Sequence, residues 1–245
     1  MFDWIKISDD PNNEDVLKKW LDHYNQNIVK FDIFSTIHRD EFIMDLCGIK
    51  KPSIKLLDIG FAEHSIEYAK SSDWFHGKLR KYKHHHIFGL DINQTAVEAI
   101  RQFTNFDNLI VGDATSEFAL VDGGNFDAIH AGDVIEHLDN VGGFLRFCRA
   151  NLSNNGKLII TTPNPCSSIA IATFKKHGLT ANMEHTNWVT PTNMNELCRR
   201  NGLTFLESHY HLNKKPTLKN RLRKSSIFKK KDVYIGEFIY VLSKS

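Results

Sequence analysis

The feature that most constrains this chain is a rhythm. Five short apolar stretches, SIKLLDIG, HHIFGLDI, NLIVGDA, FDAIHAGD and GKLIITTPN, are interleaved with helical patterns, of which QTAVEAIRQF and NVGGFLRFCRANL are the clearest. Runs of four to eight apolar residues bounded by Gly, Asn and Asp read as buried strands, and strands alternating with helices of ten or more residues read as βαβ units. Such units build a parallel sheet with helices on both faces. After the fifth stretch come a helical pattern, PTNMNELCRRNG, and two further strand patterns, LTFLESHYHL and VYIGEFIYVLS. These two predict an antiparallel pair added to one edge. The expected fold is therefore α/β and doubly wound, a mostly parallel seven-stranded sheet with an antiparallel C-terminal strand.

Before the first strand, apolar residues recur at helical spacing (Val16, Leu17, Trp20, Leu21, Tyr24, then Phe42, Ile43, Leu46). Residues 1–50 are expected to form an N-terminal helical cap, and residues 51–245 the main domain with a basic loop at 213–231. A chain of 245 residues suits one such domain, because single cores keep growing to about 250 residues. No stretch approaches the roughly 18 apolar residues of a spanning helix, and the first fifteen residues lack a signal-peptide pattern. A cytoplasmic location is the expectation. The four cysteines stand far apart without a CxxC pair, which argues against a disulfide framework or a cysteine zinc site.

The formal net charge of +2 conceals an asymmetry. Nine Lys or Arg and no acid lie between Lys214 and Lys231, leaving 22 basic against 29 acidic residues elsewhere. The strip reads as a solvated loop or as an anion-binding segment; its interleaved Leu218, Leu222, Ile227 and Phe228 would also allow membrane-surface contact.

Function is expected where the strands end, since ligands of open α/β sheets bind outside the carboxyl ends near the point where strand order reverses. Asp58, Asp91, Asp113 and Asp133 each stand at such an end. One Asp there could be a helix cap; four in register point to a ligand. An acid after the second strand can grip two ribose hydroxyls, and a glycine turn after the first lets backbone approach the ligand. Directly after the fourth strand, GDVIEHLDN crowds Asp133, Glu136 and His137 together.

LLDIGFAEHSIEYA, FGLDIN, VGDAT, FDAIHAGDVIEHL and LSNNGKLIITTPN resemble, in order, the motifs of class I S-adenosylmethionine-dependent methyltransferases, over roughly Leu56–Asn164. The glycine motif departs from the family's usual D-x-G-x-G-x-G: Gly60 is kept, but Ala62 and His64 replace the second and third glycines. SSDWFHGKLRKYKHHH is read as an insertion whose histidine run, His84 to His86, is solvated. The resemblance implies S-adenosylmethionine as cofactor. Asp58, Gly60, Phe61 and Ala62 would lie at its methionine end and Asp91 with Ile92 at its ribose. Asp113 with the Ala114 amide would read the adenine edge, and Ala131 would pass close to the sulfonium.

The expected reaction is O-methylation of a small or glycan-type acceptor, toward which the basic strip and the polar loop EHTNWVTP point. His137 is the candidate general base, its unperturbed pKa near 6.5 suiting a hydroxyl that loses its proton as it attacks. Glu136 and His137 could instead begin a helix. Small-RNA 3′-terminal 2′-O-methyltransferases and ubiquinone-pathway O-methyltransferases pair a similar carboxylate-x-x-Glu-His element with a later histidine and hold a divalent metal there. By that analogy Asp133, Glu136, His137 and His185 would be ligands, and an RNA end the alternative acceptor. His185 could also bind the acceptor or pack beside Trp188. A non-catalytic binding subunit that has kept the fold is the remaining alternative.

Overall fold

The computed structural model describes residues 31–34, 39–62, 66–83, 85–116, 119–178, 182–211 and 236–245. In chain order the elements are β1 (Phe31–Phe34), α1 (Arg39–Leu46), β2 (Lys55–Ile59), α2 (Ile66–Ala69), α3 (Phe75–Leu79), β3 (His86–Asp91), α4 (Gln94–Thr104) and β4 (Leu109–Val111). They continue with β5 (Phe126–Gly132), a 3₁₀ turn (Ile135–His137), α5 (Val141–Asn151), β6 (Leu152–Pro163), α6 (Ser168–His177), α7 (Pro191–Arg200), β7 (Leu203–His211) and β8 (Glu237–Lys244).

The strands form one sheet in the order β1-β7-β8-β6-β5-β2-β3-β4. All neighbouring pairs are parallel except those made by β8, which runs against both β6 and β7. The order reverses between β2 and β5, because the chain steps outward through β3 and β4 and then returns to the other side of β2. There Leu56 to Ile59 pair with Ala128 to Ala131, so the crevice expected to bind a ligand opens above Gly60 and Gly132.

Both faces of the sheet are covered. On one, α5 and α7 bring Phe144, Leu145, Cys148, Met194 and Cys198 onto Leu57, Ile129, Leu158 and Tyr240. On the other, α1 and α3 bring Ile43, Met44, Phe75 and Leu79 onto Leu56, Ala128 and Ile159. The helices start where capping residues allow: Asn93 accepts from the Ala96 amide, and Thr190 with Asn193 forms a reciprocal capping box ahead of Pro191. All four cysteines are free.

Two expectations need correction. Within the cap, residues 31–34 form a strand on the edge of β7, not a helix. FDIF is rich in aromatic and β-branched residues, and the edge that pairs with it is 177 positions away from Phe31 at Ser208, beyond the reach of local periodicity. Residues 1–30 of the cap lie outside the described residues. So does the basic loop, within 212–235. Secondly, the histidines of the insertion are not all solvated, and one face of the segment is buried. Trp74, Phe75, His76, Leu79 and His85 are all buried, and His85 bridges the Ile54 amide (3.1 Å) and the Ile49 carbonyl (2.8 Å). His86 is exposed, and His84 lies outside the described residues.

Candidate active site

The glycine turn leaves β2 in a conformation that excludes most side chains. Gly60 has φ +78°, and a Cβ added there would stand 2.5 Å from Cγ2 of Val134, just past β5. Three elements hold the turn. The Gly60 amide donates to the Leu90 carbonyl at 2.8 Å, the Trp74 indole N–H to the Phe61 carbonyl at 2.7 Å, and the Ala62 amide to Asp91 Oδ2 at 3.1 Å. Gly89 makes room for the Phe61 ring, since a Cβ there would lie 2.7 Å from it. His64 lies outside the described residues.

Asp91 ends β3 half-buried, its other oxygen accepting from the Asn93 amide at 2.9 Å. A carboxylate offers about four acceptor positions, so two such bonds leave capacity for ribose hydroxyls. Ile92 beside it is 72% exposed, an apolar surface that a purine could cover. Asp113 stands on the neighbouring strand end, its carboxylate accepting from the Thr115 amide and hydroxyl at 2.7 and 2.8 Å. Ala114 and Ala131 are buried. Half-buried carboxylate, exposed aliphatic platform and second acid together fit the adenosine half of S-adenosylmethionine.

Asp58 is placed differently from expectation. It is 3% exposed, and its two oxygens meet His130 Nδ1 at 2.7 Å and His76 Nδ1 at 3.0 Å. Burial alone would raise its pKa, but the bonds from His130 and His76 outweigh that and hold it below the usual carboxylate range. An ionised carboxylate only accepts, so both Nδ1 atoms carry the protons. With both oxygens engaged beneath the turn, Asp58 supports the site from below and does not line it. Neither histidine was singled out from the sequence: His76 sits in a segment read as insertion, and His130 in a stretch read only as strand.

Asp133 also departs from expectation. It adopts φ +53° and turns its carboxylate to Arg39 (3.0 Å), the first residue of α1. The Arg39 guanidinium also donates to Thr161 Oγ1 at 2.9 Å and to Glu237 at 2.7 Å, joining the ends of β5, β6 and β8. Glu237 in turn faces His211 at 3.7 Å. Arg39 was invisible as a site residue because it lies 94 positions from Asp133.

The remaining three predicted residues do come together. Ligand-type atoms of Glu136, His137 and His185 lie within 4.8 Å of one another. The His137 and His185 rings meet edge-on at 4.8 Å, and His185 meets Trp188 at 5.4 Å. The loop carrying His185 is fastened to the 3₁₀ turn, because the Thr186 and Asn187 amides both donate to the Glu136 carbonyl (2.8 and 3.1 Å). It is also tied to β8, where the Tyr240 hydroxyl donates to the Val189 carbonyl at 2.8 Å. Glu136 is 1% exposed and takes a bond from the Thr162 hydroxyl at 3.0 Å. Burial, with Asp133 and Glu237 nearby, pushes its carboxyl up to about 8. A buried carboxyl of that kind beside two imidazoles can hold a proton or a cation.

A methyltransferase-domain family model matches residues 32–208, well over half of the chain. No curated protein matches it. Among solved structures, a TehB-like S-adenosylmethionine-dependent methyltransferase from Corynebacterium glutamicum is similar over 95% of this chain and 97% of its own, at 16% identity and a TM-score of 0.53. A sarcosine dimethylglycine methyltransferase assignment from Galdieria sulphuraria aligns over 85% and 86% of the two chains, at 15% identity and a TM-score of 0.56. An S-adenosylmethionine-dependent methyltransferase from Archaeoglobus fulgidus aligns over 84% and 92%, at 17% identity and a TM-score of 0.56. At these identities the likeness carries the fold, and the family match carries the membership. Reversed strand order above Gly60, an acid at each of the next two strand tips, and a match spanning β1 to β7 lead to one assignment: the chain belongs to the methyltransferase-domain family, among the class I S-adenosylmethionine-dependent methyltransferases.

Proposed function

We propose that the protein methylates a hydroxyl of a small or carbohydrate-type acceptor, with Glu136, His137 and His185 forming the acceptor end of the site. The observation that carries this reading is their convergence, one carboxyl and two imidazoles within 4.8 Å, next to the strand ends where ligands of such sheets bind. S-adenosylmethionine, when bound, supplies an electrophilic methyl group on a cationic sulfur. Gly60, Phe61 and Ala62 would line its methionine end, Asp91 would accept from the ribose hydroxyls, and Ile92, Asp113 and the Ala114 amide would receive the adenine. Asp133 and Glu237 stand against the single cation Arg39, an acidic neighbourhood that suits a cationic ligand.

A divalent cation fits the same three residues. One carboxylate and two imidazoles make a mixed oxygen and nitrogen set, and Glu136 Oε1 is buried with no hydrogen-bond partner among the described residues. When bound, such an ion supplies the Lewis acidity that lowers the pKa of the acceptor hydroxyl. His137 is also placed to take the hydroxyl proton itself. The loop 185–189, pinned by Glu136 and Tyr240, keeps His185 and Trp188 in register with the 3₁₀ turn. Holding donor and acceptor in line contributes several kcal/mol, on the order of 7 or more, to lowering the barrier.

Titration with manganese chloride alone tests the ligand set. Heat that disappears in Glu136→Gln and His185→Ala but persists in Asp133→Ala supports a three-residue cation site. Cofactor turnover on a panel of sugars and other hydroxyl compounds, and on amines, tests the reaction. Turnover on amines alone would refute O-methylation, and turnover that survives both a strong chelator and His185→Ala would leave His137 without an ion.

A further inference from the structure

We infer that the segment Ser71–His85 is a brace that takes over the work of the two missing glycines, with Trp74 and His76 as positioning residues for cofactor binding. The inference rests on reading Gly60–Ala62 as the cofactor turn. Where a turn carries glycine at its second and third places, backbone freedom lets it fit around a ligand. Here the second place is Ala62, fully buried, and the first inner residue is Phe61, 2% exposed. A turn built of side chains must be held in shape from outside.

The insertion supplies that hold from two directions. Above, the Trp74 N–H caps the Phe61 carbonyl at 2.7 Å, while its ring, 3% exposed, lies 6.2 Å from Phe106 in a stacked arrangement. Below, His76 reaches the root of the turn: its Nδ1 meets Asp58 at 3.0 Å, two residues before Gly60, and its ring lies 4.9 Å from Phe61. His130 of β5 fixes the other oxygen of Asp58 at 2.7 Å. Gly77 permits the compact path, since a Cβ there would come within 2.6 Å of the Trp74 ring.

The brace reaches the ligand-binding carboxylate through the Ala62 amide, which donates to Asp91 Oδ2 at 3.1 Å. If Phe61 shifts, Ala62 shifts with it, and Asp91 loses the bond that aims it. The insertion therefore sets the orientation of the ribose-binding acid from outside the pocket.

The experiment is calorimetric titration of the full chain with S-adenosylhomocysteine, at fixed pH and salt, alongside thermal melts. Trp74→Phe keeps an aromatic ring and removes the donor. His76→Leu removes the Nδ1 donor, and His76→Asn restores a donor at nearly the same place. Expected are at least tenfold weaker binding for Trp74→Phe and His76→Leu, and binding within threefold of wild type for His76→Asn. Wild-type affinity in folded Trp74→Phe, or equal loss in His76→Asn and His76→Leu, overturns the brace. If His76→Leu fails to fold, Trp74→Phe decides alone. No binding by the wild-type chain would overturn the cofactor-turn reading beneath it, an outcome distinct from wild-type-like variants.

Discussion

Replacing Gly60 by Ala separates two costs that the structure places at one atom. The first is conformational: at φ +78° an L-residue pays about 1–2 kcal/mol for the left-handed region. The second is steric. The new Cβ would lie 2.5 Å from Val134 Cγ2 but 3.9 Å from Val134 Cβ, so the clash belongs to one methyl group and costs about 1–3 kcal/mol as overpacking. Gly60→Ala should therefore destabilise by about 2–5 kcal/mol, a fall in melting temperature of roughly 2–4 °C per kcal/mol for a chain of this size. Val134→Ala deletes the offending methyl, so Gly60→Ala/Val134→Ala should recover the steric share and retain the conformational one. The assay is a double-mutant cycle by urea denaturation, with a favourable interaction energy of about 1–3 kcal/mol expected between the two changes. Additivity within about 0.5 kcal/mol would refute the reasoning, because it would mean that Val134 does not pack over the turn.

Three further outcomes follow from the same geometry. Asp91→Ala removes the acceptor of the Ala62 amide and the proposed ribose acceptor, and should weaken S-adenosylhomocysteine binding at least a hundredfold by calorimetry; an effect under threefold would exclude a ribose role. Asp58, held below its ordinary value near 3.8, stabilises the fold at pH values above that point, and this contribution fades as pH falls through the lower folded value. The stability gap between wild type and Asp58→Asn, followed by thermal melts, should thus be constant above about pH 5 and shrink below about pH 4; a gap that widens on acidification would show that the carboxylate is not the stabilising form. Arg39→Met leaves Asp133 and Glu237 facing one another without their cation. Removing one partner of a buried pair costs about 3–5 kcal/mol, and with the Arg39 side chain 25% exposed about 1–3 kcal/mol is expected in urea denaturation, with the larger loss at pH 8 than at pH 5.

The sheet was legible because its signal is local. β2, β3, β5 and the second half of β6 are largely buried runs, so apolarity marks them, and the capped helices between them carry their own boundaries. β1 was not legible, for its partner is β7 and nothing in four residues announces an edge 177 positions away. The insertion Ser71–His85 misled for a related reason. Its high content of Lys, Arg and His reads as solvated, yet Trp74, Phe75, His76 and Leu79 point inward from α3 and the turn before it, while Lys81, Tyr82 and Lys83 are exposed. A short element that buries one face over one or two turns has too few periods to reveal which face it is.

The acids of the site divide along the same line, and the division has a physical cause. All four stand at strand tips, and spacing alone treats them as equivalent. What separates them is the cation or imidazole that the fold delivers to each. Asp58 receives two histidines and becomes a buried support. Asp133 receives Arg39 from α1, and with a left-handed backbone at φ +53° its carboxylate meets that guanidinium. Asp91 and Asp113 meet backbone amides and the Thr115 hydroxyl, and among the described residues no basic side chain meets either. Carboxylates bonded in that way keep acceptor capacity for a ligand. The pairing of Asp133 with Arg39 thus leaves Glu136, His137 and His185 as the three donor-type side chains that converge.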